Sequence, residues 1–153
     1  MKKMRLVVVM CCLLAAGAIM PAHADDYRAV RSTTILTSSV ASNGQKLSYL
    51  RTDNPEVTAK IVEIDPGGET GWHTHPVPVY AYMLSGTITV TLADGRTYDY
   101  KEGDAIFEVR DIPHNGRNNG TTPARLVVFY TGAAGTPNVK RVDAPVGGTG
   151  GAR

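Results

Sequence analysis

Gly67-Gly-Glu-Thr-Gly-Trp-His73-Thr-His75-Pro-Val-Pro-Val79-Tyr-Ala-Tyr-Met83-Leu-Ser-Gly86 is the stretch on which the reading of this chain turns. His73 and His75 stand two apart where the chain enters an apolar run. In an extended strand, residues two apart point to the same face, so both imidazoles can grip one ion from one side. The same parity carries Val77, Val79, Ala81 and Met83 inward with them. Pro76 and Pro78 can disturb that register, which leaves Tyr80 as the less favoured inward neighbour. A third histidine, His114, follows another strand-like run about forty residues later and can close the site. Neutral imidazole is the commonest protein metal ligand. The expected ligand set is therefore His73, His75 and His114, with Val79, Met83 and Tyr80 as candidate substrate contacts.

Outward from this stretch the chain reads as strands punctuated by turns. Val57 to Ile64 is β-branched and alternating, and stops at Asp65-Pro66-Gly67-Gly68. Thr87 to Leu92 alternates threonine with aliphatic residues, and Asp94-Gly95 is a hairpin signal. Arg96 to Tyr100, Ala105 to Val109 and Arg125 to Tyr130 complete the set, with Asn115 to Thr122 as a polar loop between the last two. Many short strands and no convincing helix beyond the N-terminal segment indicate an all-β protein, a single sandwich or barrel. The expected organisation is a signal segment over 1–24, an arm with edge strands over 25–50, a barrel over 51–132 and a flexible tail over 133–153. The tail ends in Gly147-Gly-Thr-Gly-Gly151, too poor in apolar residues to pack.

Residues 1–24 read as a secretory signal peptide. Lys2, Lys3 and Arg5 precede an apolar run from Leu6 to Met20, and Ala22-His23-Ala24 supplies a small-x-small cleavage site. The run is too short for a membrane span, so export to the periplasm or beyond is expected, with no membrane attachment after cleavage. Removing the segment leaves 13 basic against 14 acidic residues, a net charge of −1. Without a basic cluster to neutralise phosphates, nucleic acid is not an expected partner. Both cysteines, Cys11 and Cys12, fall inside the segment. Disulfides are open to an exported protein, but this one must draw its stability from its core, a metal or subunit contacts.

The two histidine segments resemble the paired motifs of the cupin superfamily, and the resemblance covers roughly Ala59 to Tyr130. In the first motif Gly67, His73, His75 and Gly86 match, while its glutamate position falls on Val79. In the second, Gly103, His114 and Asn118 match, with Val109 in place of proline and Asp111 in place of glycine. Sixteen residues separate Gly86 from Gly103, as in compact single-domain bacterial cupins. The resemblance implies one jelly-roll β-barrel, a metal, a small-molecule substrate or ligand, and pairing of barrels into a homodimer. Valine cannot ligate, so three imidazoles and an open position remain, as catalytic sites require. Fe, Zn, Ni and Cu suit imidazole; Mn, which prefers oxygen, suits it less. Glu108, in an otherwise apolar strand six residues before His114, is the candidate catalytic carboxylate. It would act as a general base or as the missing ligand if it points inward, and the intervening turn keeps parity from deciding its direction. The implied function is a small metal-dependent enzyme, dioxygenase-like or using the ion as a Lewis acid. The alternative is a non-catalytic binding protein for a metal or small ligand.

Overall fold

A computed structural model describes residues 29–145; the expected signal segment and the glycine-rich end of the tail lie outside the described residues. The chain divides into two units, Met1–Thr33 and Thr34–Arg153, and every strand belongs to the second. The strands are β1 (Pro55–Ile64), β2 (His73–Thr74), β3 (Val79–Ser85), β4 (Thr87–Leu92) and β5 (Thr97–Lys101). They continue as β6 (Ala105–Phe107), β7 (His114–Arg117), β8 (Ala124–Ala133) and β9 (Lys140–Arg141). They form a four-stranded sheet ordered β1-β8-β3-β6 and a five-stranded sheet ordered β5-β4-β7-β2-β9, with all pairings antiparallel. This is the all-β jelly-roll expected from the sequence.

The four-stranded sheet supplies most of the core. Val79, Ala81 and Met83 of β3 meet Leu126, Val128 and Tyr130 of β8 on one buried face, and each fully buried aliphatic side chain contributes about 1.5–3 kcal/mol. The strand is not continuous across Pro76 and Pro78, where the chain passes from one sheet to the other; within β3 the alternation is regular, with Val79, Ala81 and Met83 buried and Tyr80 and Tyr82 alternating with them. The hairpin from β3 to β4 turns at Gly86, whose φ of 74° suits a residue without a side chain. A Cβ there would also stand 2.7 Å from the Pro123 carbonyl oxygen.

Three segments depart from the sequence reading. Asn115 to Arg117, a loop by composition, belongs to β7, held between β4 and β2. Lys140–Arg141, within the expected tail, pairs with β2 as β9. The arm carries no named strand; Val40 bridges Lys46 around Asn43-Gly44. Ala41 packs with Leu92 and Val109, with Leu47 against them, so this turn plugs one end of the barrel.

Asn118, the last match to the second motif, is fully buried and works as a clasp. Its amide nitrogen donates to the carbonyls of Ile64 and Thr122, and its side-chain oxygen accepts from the Gly120 N–H. Its own backbone exchanges hydrogen bonds with Gly67 and Gly68. One side chain thereby ties the turn after β1, which leads into β2, to the segment that leaves β7.

Candidate metal centre

His73 and His114 are direct cross-strand partners on β2 and β7, and such pairs share a face. His75 follows two residues after His73 on the same side. The three rings stand with centroids 4.3, 4.8 and 5.0 Å apart. All are buried, and one nitrogen from each lies within 4.8 Å of the others.

What orients them is the backbone. The Nδ1 of His73 is 2.7 Å from the Gly71 carbonyl oxygen, that of His114 is 2.8 Å from Ile112, and that of His75 is 2.8 Å from Asn138. A carbonyl only accepts, so each Nδ1 donates and each Nε2 keeps its lone pair. Fixing the tautomer from outside is how proteins prepare imidazole for a metal. The Nε2 of His114 is buried and without a well-aligned hydrogen bond. Three convergent, buried ring nitrogens fit a divalent transition metal.

Glu108 points inward. Its Oε2 lies 3.1 Å from His75 Nε2 and 3.3 Å from His114 Nε2. Burial alone would raise its carboxyl pKa, but hydrogen bonds and charges from His114 and His75 outweigh burial and hold it far below the usual carboxylate range. For His75, burial works downward and Glu108 works upward more strongly, so its pKa is raised. His73 has no such close carboxylate; burial lowers it to about 4, so it stays neutral under ordinary conditions.

The other expected contacts are distributed differently. Val79 and Met83 sit in the core behind the site, and neither lines the chamber in front of the histidines. Tyr80 faces out of the barrel and packs edge-on against Phe107, ring centroids 5.5 Å apart. Val79, Tyr80 and Glu108 do line a second hollow against the arm. Glu69 is exposed and paired with Arg117 at 3.4 Å.

The chamber itself holds about 690 Å³ of empty space, its mouth included. Both sheets wall it, chiefly with aliphatic side chains such as Val62, Ile88, Leu126 and Val128. Its polar groups besides the site are Thr70 and the hydroxyls of Ser42, Tyr98, Tyr100 and Tyr130. Burial raises the pKa of both Tyr100 and Tyr130, so these phenols stay neutral donors. Among the described residues, no lysine or arginine lines it. Sequence parity did not reveal these tyrosines, although alternation within Thr97–Lys101 sends Tyr98 and Tyr100 to one face.

Comparison of sequence and fold connects this chain to known proteins. Residues 60–130 match the family model described as Cupin domain. The barrel is a cupin jelly-roll. A curated relative, Protein SchB of Streptomyces halstedii, is 29% identical over 84 residues, 54% of this chain and 60% of that protein. The chain thus spans less than two thirds of that relative's length. The polyketide cyclase RemF from Streptomyces resistomycificus is 28% identical with a TM-score of 0.50, over 59% of this chain and 62% of its own. The Lactobacillus farciminis oxalate decarboxylase, solved as a formate complex, is 24% identical with a TM-score of 0.50, over 56% of this chain and 26% of its own. That last likeness is one of fold alone.

Proposed function

We propose that this protein is an exported, metal-dependent cupin enzyme acting on a small, mostly uncharged organic substrate. The observation that carries the reading is the convergence of three Nε2 lone pairs and one carboxylate at the wall of an apolar chamber. A divalent transition metal held there by His73, His75 and His114 supplies Lewis acidity and, if it is iron or copper, a route to dioxygen chemistry. The chain's own groups do the rest. Aliphatic walls exclude water and strengthen every polar contact inside. The neutral phenols of Tyr100 and Tyr130 can hold a substrate oxygen, and Glu108 is the catalytic carboxylate at the ion.

A chamber without lysine or arginine favours a neutral phenol or diketone over a small dianion such as oxalate. The 28% identity to a polyketide cyclase supports the same substrate class. Oxygen-dependent cleavage of such a compound is the leading reaction. The barrel is also proposed to pair as a homodimer through the outer face of its four-stranded sheet, where Val57, Ile61 and Phe129 are exposed.

Oxygen uptake by protein loaded in turn with Fe, Cu, Ni and Zn, against a panel of phenols and diketones, tests the activity. Turnover in at least one pairing is expected, abolished in the His73→Ala/His75→Ala double variant together with its bound metal. Equal metal content in that variant, or no turnover with any loaded form, contradicts the reading.

A further inference from the structure

The carboxylate missing from the first histidine motif has moved one strand sideways. Glu108 continues β6 by one residue, and β6 pairs antiparallel with β3 in the register Tyr80↔Phe107. One step further, Val79 stands opposite Glu108, and the Glu108 N–H donates to the Val79 carbonyl at 3.0 Å. Directly opposed residues of an antiparallel pair project from the same face, with Cβ atoms about 5 Å apart. The burial pattern agrees: Val79 and Ile106 face in, and Phe107 stacks with Tyr80 outside. A longer side chain at position 108 can therefore reach the volume that a glutamate at position 79 would fill.

Resting on the three-histidine metal reading, we infer that Glu108 is the fourth protein ligand, in place of the carboxylate that Val79 cannot provide. The distances in the site fit this role. With bonds of about 2.1 Å, neighbouring ligand atoms on one metal lie about 3.0 Å apart in an octahedral and about 3.4 Å apart in a tetrahedral arrangement. Glu108 Oε2 is 3.1 and 3.3 Å from two of the three nitrogens, the spacing of atoms sharing one ion. The relocation returns an anionic oxygen to the site, so oxygen-preferring metals such as Mn²⁺ are not disfavoured to the degree that valine at position 79 suggests. It also leaves Val79 free to complete the core.

The test uses Co²⁺ as the probe on the full chain, with affinity read by chelator competition and the coordination sphere by visible absorption. Glu108→Gln keeps the side chain's shape and should bind at least ~10-fold more weakly, since even outer-shell partners of metal ligands are worth that much, and its spectrum should shift. The strand-swapped double variant Val79→Glu/Glu108→Val should recover most of the lost affinity. Affinity within about two-fold of wild type and an unchanged spectrum in Glu108→Gln would overturn the inference while leaving the histidine site standing. Failure of the wild-type chain to bind Co²⁺ would instead overturn the histidine site itself. Because Glu108→Gln is close to isosteric, its comparison with wild type decides the question even if the double variant does not fold.

Discussion

The two sheets of this barrel divide the work unequally. The four-stranded sheet has two ten-residue strands, β1 and β8, and pairs their long ladder with a continuous aliphatic face. The five-stranded sheet holds His73 and His114, with His75 one residue beyond β2, yet its histidine strands β2 and β7 are two and four residues long. One sheet is stable because it buries apolar surface. The other is held in shape by discrete polar tethers: the carbonyls behind each Nδ1, the Asn118 clasp, and the Asp111 N–H donating to the His75 carbonyl at 2.9 Å. Precision at a metal site requires ligands held to within a fraction of an ångström, and short strands with fixed hydrogen bonds achieve that without a large core of their own. Glu108 crosses the division, reaching the histidines from the end of β6 in the aliphatic sheet.

Three substitutions probe that contrast. Leu126→Ala, in the aliphatic sheet, should cost about 3–4 kcal/mol of stability, the usual range for a buried leucine truncated to a cavity. Metal affinity of the folded fraction should change little. Asn118→Ala should cost about 2–3 kcal/mol, because it strands two buried carbonyls and one N–H. It should also weaken metal binding about 10-fold, since the clasp joins the segment that enters β2 to the one that leaves β7. Chemical denaturation paired with chelator competition measures both quantities. If Leu126→Ala perturbs metal affinity more than Asn118→Ala does, the division of labour is wrong. Asp111→Gly is the smallest effect. Asp111 has a φ of 57° at the position where the second motif has glycine, a conformation costing an ordinary residue about 1–2 kcal/mol and aspartate less. Glycine there should raise the melting temperature slightly, and a marked fall would mean that the aspartate side chain does more than tolerate the turn.

The ease of reading the two sheets from sequence follows the same split. Parity alone brings His73 and His75 to one face, and within β3 it turns Val79 and Met83 inward, but the chain changes sheets across Pro76 and Pro78, so the two sets do not share one strand face. The alternating aliphatics of β1, β4 and β8 are legible for the same reason. Strand β7 is hidden because His-Asn-Gly-Arg has the composition of a loop; it is a strand by virtue of its neighbours β4 and β2. Strand β9 and the plug around Ala41 are hidden likewise, since only tertiary contacts order them. The direction of Glu108 does not follow from His114, because the left-handed turn at Asp111 resets parity between them. Its true reference is β3, a pairing that no local pattern announces. Tyr80 is an inward contact only if the prolines shift the register, and the regular strand turns it outward onto Phe107.

Three imidazoles, each fixed through Nδ1 by a backbone carbonyl, converge with one nitrogen of each within 4.8 Å of the others, and X-ray absorption at the zinc edge of stoichiometrically loaded wild-type protein tests most directly the proposal that they share one ion. Three imidazole scattering paths at about 2.0–2.1 Å, accompanied by one or more oxygen neighbours, are expected. Zinc with fewer than three imidazoles, or scattered over several weak surface sites, would contradict the account.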